Sequence, residues 1–144
     1  MPSYVQSNTQ EGLIVATASG GGGSLYGKEG YFAQISPSGT SGFVILPAVS
    51  GSICPYVIEE GEASGATGTS VVLRPLTPSR NVRVYMAVTA SAGAHIMCAA
   101  LGAGTLYVPS ANGKSYALGV LENYVVTAGT YGLMRPLGPF SATA

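Results

Sequence analysis

Apolar and polar positions in this chain are arranged in short runs, and one run is clean. From Asn81 to Thr89, Val82, Val84, Met86 and Val88 fall on one side and Arg83, Tyr85, Ala87 and Thr89 on the other. Side chains alternate between the two faces of a strand, so one side of this segment enters a core and the other is amphiphilic. Shorter apolar runs at 12–16, 31–35, 42–46 and 105–108 also read as strands, each set off by Gly, Pro or Ser. The stretch from Ala94 to Leu101 suits either a strand or a short helical turn. No segment holds a helical period between caps. The expectation is therefore all-β: a compact barrel or sandwich of about nine short strands.

Two stretches echo each other. Val57-Ile58-Glu59 leads through Gly68-Thr69 to Val72-Leu73-Arg74-Pro75-Leu76, and Val120-Leu121-Glu122 leads through Gly129-Thr130 to Leu133-Met134-Arg135-Pro136-Leu137. Each is an apolar pair, a Glu, a small-residue turn and a second apolar run closed by Arg-Pro-Leu. That order predicts two similar β-hairpins, with proline ending the second ladder of each. Asn112-Gly113 predicts a type I′ turn joining Leu106-Tyr107-Val108 to Tyr116-Ala117-Leu118, because Asn and Gly accept positive φ at low cost. Residues 1–24 read as an N-terminal arm with a Gly-rich connector at Gly20–Gly23, and residues 25–144 as a single β-domain.

Composition changes the picture in one respect. The chain has 144 residues, enough for a core without metal or disulfide staples. Only 8% of them are charged, against about 25% in a typical soluble domain. Mean hydropathy is +0.36 and formal net charge is zero. A surface with so little charge tends to associate, which points to a subunit largely covered by its neighbours. Six basic residues balanced by six acidic ones offer neither nucleic acid nor an anionic membrane an evident partner. The uncharged run from Val84 to Val108 is long enough to span a bilayer, but Ser91-Ala92-Gly93-Ala94, His95 and Gly102-Ala103-Gly104 break it. The N-terminus lacks a basic region followed by an apolar core, so secretion is not indicated.

Chemistry is sparsely supplied. Gly22 to Lys28 matches the start of a P-loop, but Glu29 stands where magnesium needs Ser or Thr and would repel phosphate. His95 and Cys98 are three apart and would face opposite sides of a strand, so no metal site is expected. His95 is the only imidazole and reads as a partly buried histidine. Glu59 and Glu60 are adjacent and point apart, so they cannot act across one substrate. Cys54 and Cys98 lie in apolar runs and read as buried thiols. An enzyme is not expected, nor any cofactor. Arg and Tyr are the residues suited to contact with a partner. The candidate interface residues are Tyr4 and Val5 in the arm, with Tyr26, Tyr31, Arg74, Arg83, Tyr131 and Arg135. A small-ligand barrel with a site around His95 and Tyr85 is a further reading.

Three runs taken together resemble a family. They are Pro55-Tyr56-Val57-Ile58-Glu59-Glu60-Gly61, Arg74-Pro75-Leu76-Thr77-Pro78-Ser79-Arg80-Asn81-Val82-Arg83-Val84, and Tyr116-Ala117-Leu118-Gly119-Val120-Leu121-Glu122 with Ala128-Gly129-Thr130. This pattern, over residues 43–137, resembles the small capsid decoration (cement) proteins of tailed bacteriophages. The resemblance implies a β-rich domain on the outer capsid surface of the virion, made in the host cytoplasm. Its partners would be the major capsid protein and further copies of itself, as a homotrimer or a dimer, and an N-terminal arm would dock on the shell. The Gly20–Gly23 connector and the scarcity of charge depart from the family pattern. Another virion β-subunit, of tail, fibre or shell, is the alternative.

Overall fold

The computed structural model describes residues 14–17, 25–36, 43–62, 70–109, 115–137 and 142–143. Tyr4, Val5, the Gly20–Gly23 connector, the Gly68-Thr69 turn and Asn112-Gly113 lie outside them. The described chain is all-β. Its strands are β1 (Ile14–Thr17), β2 (Phe32–Ser36), β3 (Phe43–Ile45), β4 (Tyr56–Glu60), β5 (Ser70–Pro75), β6 (Val82–Met86), β7 (His95–Cys98), β8 (Gly104–Leu106), β9 (Ser115–Tyr116), β10 (Gly119–Leu121), β11 (Thr130–Pro136) and β12 (Ala142–Thr143). A 3₁₀ turn at Ala100–Gly102 follows β7, so the stretch left open in the sequence contains both a strand and a turn.

The strands form two five-stranded units. In the first unit the order is β1-β5-β4-β2-β3. In the second it is β6-β11-β10-β7-β8, closed into a barrel where Met86 of β6 meets Gly104 of β8 in parallel. The orders are the same, and so are the registers. Val57 pairs with Arg74 and Ile58 with Leu73 in the first unit; Val120 pairs with Arg135 and Leu121 with Met134 in the second. Phe32 faces Val57 as His95 faces Val120. Ile14 faces Leu73 as Val82 faces Met134.

The loops repeat as well. Gly30 donates its N–H to Ile58 O at 2.8 Å, and Gly93 donates to Leu121 O at 2.7 Å. Ile58 N donates back to Tyr31 O, and Leu121 N to Ala94 O. Gly30 and Gly93 have φ of 85° and 88°, a left-handed turn that glycine takes without steric cost. The hairpin echo in the sequence is thus the visible part of a structural repeat of the whole unit. In both hairpins the two strands pair antiparallel as predicted, and β5 and β11 end at Pro75 and Pro136.

The units differ at the seam. Gly104 closes the second barrel because a Cβ there would sit 2.7 Å from Met86 Sδ. The matching strands β1 and β3 are neighbours, with no ladder between them among the described residues. The first unit is therefore a curled sheet. Its own core is Leu25, Ala33, Val44, Ile58, Val71 and Leu73. The larger core belongs to the second barrel and draws in Phe32, Cys54, Val57 and Leu76 from the first unit.

Three expectations are corrected. β8 pairs with β7 and β6, while β9 pairs with β12, so among the described residues no ladder joins β8 to β9 as a hairpin. Closing the barrel satisfies the β8 ladder on both sides and leaves β9 to find another partner. The alternating strand ends at Met86, where Gly129 N and Gly104 O take over the hydrogen bonding, although Val88 still packs on the core. His95 is exposed: it opens β7, and the burial falls on the residues that follow it, Ile96, Met97 and Cys98.

Candidate interaction surface

The amphiphilic face of β6 becomes a junction between the units. Tyr85 points outward from the second barrel, and Tyr31, at the entry to β2, stacks on it with ring centres 4.9 Å apart and planes 10° apart. Tyr131, opposite Tyr85 on β11, meets it edge to face at 5.7 Å. Arg83 lies over the Tyr131 ring at 4.4 Å and Lys28 over the Tyr31 ring at 4.7 Å. Tyr85 N donates to Gly30 O at 2.9 Å, which carries backbone hydrogen bonding from one unit into the other. Burial, and then the neighbouring Tyr85, hold the Tyr31 phenol above its ordinary ionisation range. The structure therefore gathers Tyr31, Arg83 and Tyr131 into one cluster. Tyr85, which completes it, and Lys28 were not among the predicted interface residues; the alternation of β6 places Tyr85 on the same face as Arg83.

Arg74 and Arg135 occupy the same place in the two hairpins. Arg74 Nε donates to Glu59 Oε1 at 2.8 Å, and Arg135 Nε to Glu122 Oε1 at 3.2 Å. The Arg74 side chain is 15% exposed and that of Arg135 is 49%. Each arginine thus ties its own hairpin, and Arg135 also presents its head to solvent. Tyr26 is exposed in the turn before β2. Glu62 is buried and accepts the Leu25 N–H at 3.0 Å.

Apolar groups are displayed outside these contacts. Val126 and Tyr124 are 82% and 68% exposed. They flank a shallow groove that includes Ala90, Ala94 and Leu106. A second groove of about 500 Å³ is lined by Ala94, His95, Leu106, Tyr107 and Ala117. Tyr85 is not part of it, so the structure does not bring His95 and Tyr85 into one site. Tyr124 and Val126 escaped sequence reasoning because an apolar side chain in a short loop has no periodic partner to show which way it faces.

Cys54 and Cys98, from different units, are both fully buried and free. Cys98 Sγ donates to Ser52 O at 3.5 Å. The hydrogen bond with Cys98, and then burial, push the Cys54 thiol up in pKa, so it stays protonated. Among the described residues no group of His, Cys or Glu is placed to hold a metal ion, and no helix is long and apolar enough to cross a membrane.

Tandem five-stranded units joined through an aromatic junction define the architecture with which known structures can be compared. No protein-family model matches the sequence, and no curated protein matches it. In fold the chain is similar to the head fiber gp8.5 N base of bacteriophage phi29. The TM-score is 0.61 and the identity 14%, over 87% of this chain and 94% of that one.

Proposed function

We propose that this chain is a structural protein of a phage virion, seated on the outer surface of the head. The observation that carries this reading is the fold likeness to a head-fibre base, which spans nearly the whole of both chains. The resemblance of residues 43–137 to capsid decoration proteins points the same way from the sequence alone. The exposed Val126 and Tyr124 and the scarcity of charge suit a subunit that works by covering surface.

Two finer readings follow from the two likenesses. As a fibre component, the chain would anchor to the head without strengthening it. As a cement protein, it would bridge capsid subunits and brace them, with residues 1–11 docking on the shell. In both, the partners are the major capsid protein and further copies of the chain, as a homotrimer or a dimer. Many weak contacts made at once by an oligomer would supply the affinity.

The test is co-sedimentation with purified heads that lack the protein. Saturable binding is expected, and binding that disappears on deletion of residues 1–11 supports the docking arm. If occupied heads then resist heating better than bare ones, the cement reading holds. If they bind the protein but melt unchanged, the fibre reading holds. Absence of binding at saturating protein sinks both.

A further inference from the structure

The structural repeat has a consequence for the surface. The contact between the two units is made by different faces on each. The first unit contributes Tyr31, Phe32, Cys54, Val57 and Leu76. The second contributes Tyr85 and Tyr131 and the barrel-core residues that share a cluster with Phe32, Cys54, Val57 and Leu76. It also contributes the N–H of Leu101, which donates to Pro47 O, the carbonyl of Cys98, which accepts from Gly51 N, and the N–H of Tyr116, which donates to Gly51 O. The contact is therefore heterologous: a head on one unit meets a tail on the other. The two units share one strand order and register, so each carries a counterpart of both faces, and one head and one tail remain unused.

The registers above locate them. The head positions Tyr31, Phe32, Cys54 and Val57 correspond to Ala94, His95, Ala117 and Val120 in the second unit. Three of these, Ala94, His95 and Ala117, line the 500 Å³ groove. The groove thus lies on the face that, in the first unit, is buried against its neighbour. The tail positions Cys98, Tyr116 and Tyr131 correspond to Ile35, Ile53 and Ser70 in the first unit. Ile35 and Ile53 stand 36% and 40% exposed, apolar groups facing solvent where their counterparts touch the other unit. Beside the groove, Leu106 is also exposed. None of Ile35, Ile53, Ala94, Leu106 and Ala117 has an ionisable side chain.

We propose that the groove face of the second unit, built on Ala94, His95, Leu106 and Ala117, binds the Ile35–Ile53 face of another copy of this chain. The contact repeats between chains the head-to-tail packing that joins the two units within one. This deepens the oligomeric part of the reading above and gives that oligomer an interface.

The test uses the full chain in solution, with mass read by light scattering and folding by cooperative melting. Wild type self-associates, as a closed ring if the rotation of the contact closes and as a longer array if it does not. Leu106→Arg spoils the head and Ile35→Arg the tail, and each leaves an unpaired charge in the contact, so self-association weakens by about 100-fold or more. Each variant alone is then a single chain. An equimolar mixture recovers a two-chain species, because the intact head of one variant meets the intact tail of the other. His95→Glu and Ile53→Arg stand in for either variant that fails to melt cooperatively. A wild-type chain that stays single, variants that keep the wild-type mass, or a mixture that recovers nothing overturns the proposal. No capsid enters this measurement. A single-chain protein that still decorates heads therefore defeats the interface and spares the functional reading, and an oligomer that ignores heads does the reverse.

Discussion

Leu101 is the one described non-glycine residue with positive φ, at 69°. Its N–H donates to Pro47 O of the first unit at 2.7 Å, and Gly102 follows with φ of 95°. The side chain is 65% exposed, so little burial offsets the steric cost. In the left-handed region that cost is about 1–2 kcal/mol for an L-residue, and glycine does not bear it. Leu101→Gly is expected to raise unfolding stability by about 1 kcal/mol in urea titration, less whatever unfolded-chain entropy the glycine adds. A loss of stability would mean that the Leu101 side chain makes a packing contribution larger than its exposure implies. No period in the sequence could have exposed this residue. The carbonyl its N–H reaches belongs to Pro47, far away in sequence, so no local pattern marks it.

At the scale of the element, the two hairpins are a natural comparison. Same register, same Glu and same Arg produce the same cross-strand ion pair, in different solvent. The Arg74 head is largely covered, whereas Arg135 and Glu122 are both well exposed. Exposed pairs contribute roughly 0–1 kcal/mol, while a covered guanidinium that loses its acceptor costs more. Glu59→Ala is expected to lower stability by about 1–2 kcal/mol and Glu122→Ala by less than about 0.5 kcal/mol, read from urea midpoints. Equal losses would show that burial of Arg74 does not govern the pair. These hairpins were legible in the sequence because every contact in them is local: a period of two, a turn, and a proline that cannot donate. The supposed hairpin between β8 and β9 read just as well locally. It failed because β8 was already paired on both edges by barrel closure, a non-local constraint.

At the scale of the molecule, the junction of Tyr31, Tyr85 and Tyr131 holds the units together. The Tyr31 phenol is raised by burial first and by Tyr85 second. In the unfolded chain it ionises near pH 10, and in the folded chain only above that. A raised folded value makes the neutral form the stabilising one. Its contribution is therefore intact below about pH 10 and is lost as pH climbs from there through the folded value. Wild type should lose stability more steeply than Tyr31→Phe above pH 10, with the curves parallel below it. Curves parallel throughout would show that Tyr31 ionises alike in both states.

What the sequence determined by itself was the β character, the two matched hairpins, the inward side of β6, the burial of both cysteines and the scarcity of charge. Each is a statement about composition or near neighbours, and local periodicity carries it. Candidate interface residues were legible only as types, Tyr and Arg; that Tyr31, Arg83 and Tyr131 come together in one cluster was not visible. Only the tertiary structure decided that the repeat extends to whole five-stranded units, that Tyr31 crosses from one to stack on the other, and that His95 faces solvent. Strand order, barrel closure and the pairing of unlike faces depend on contacts between distant residues. A strand's alternation marks an inside and an outside, but what covers the outside is settled by the neighbour that packs there.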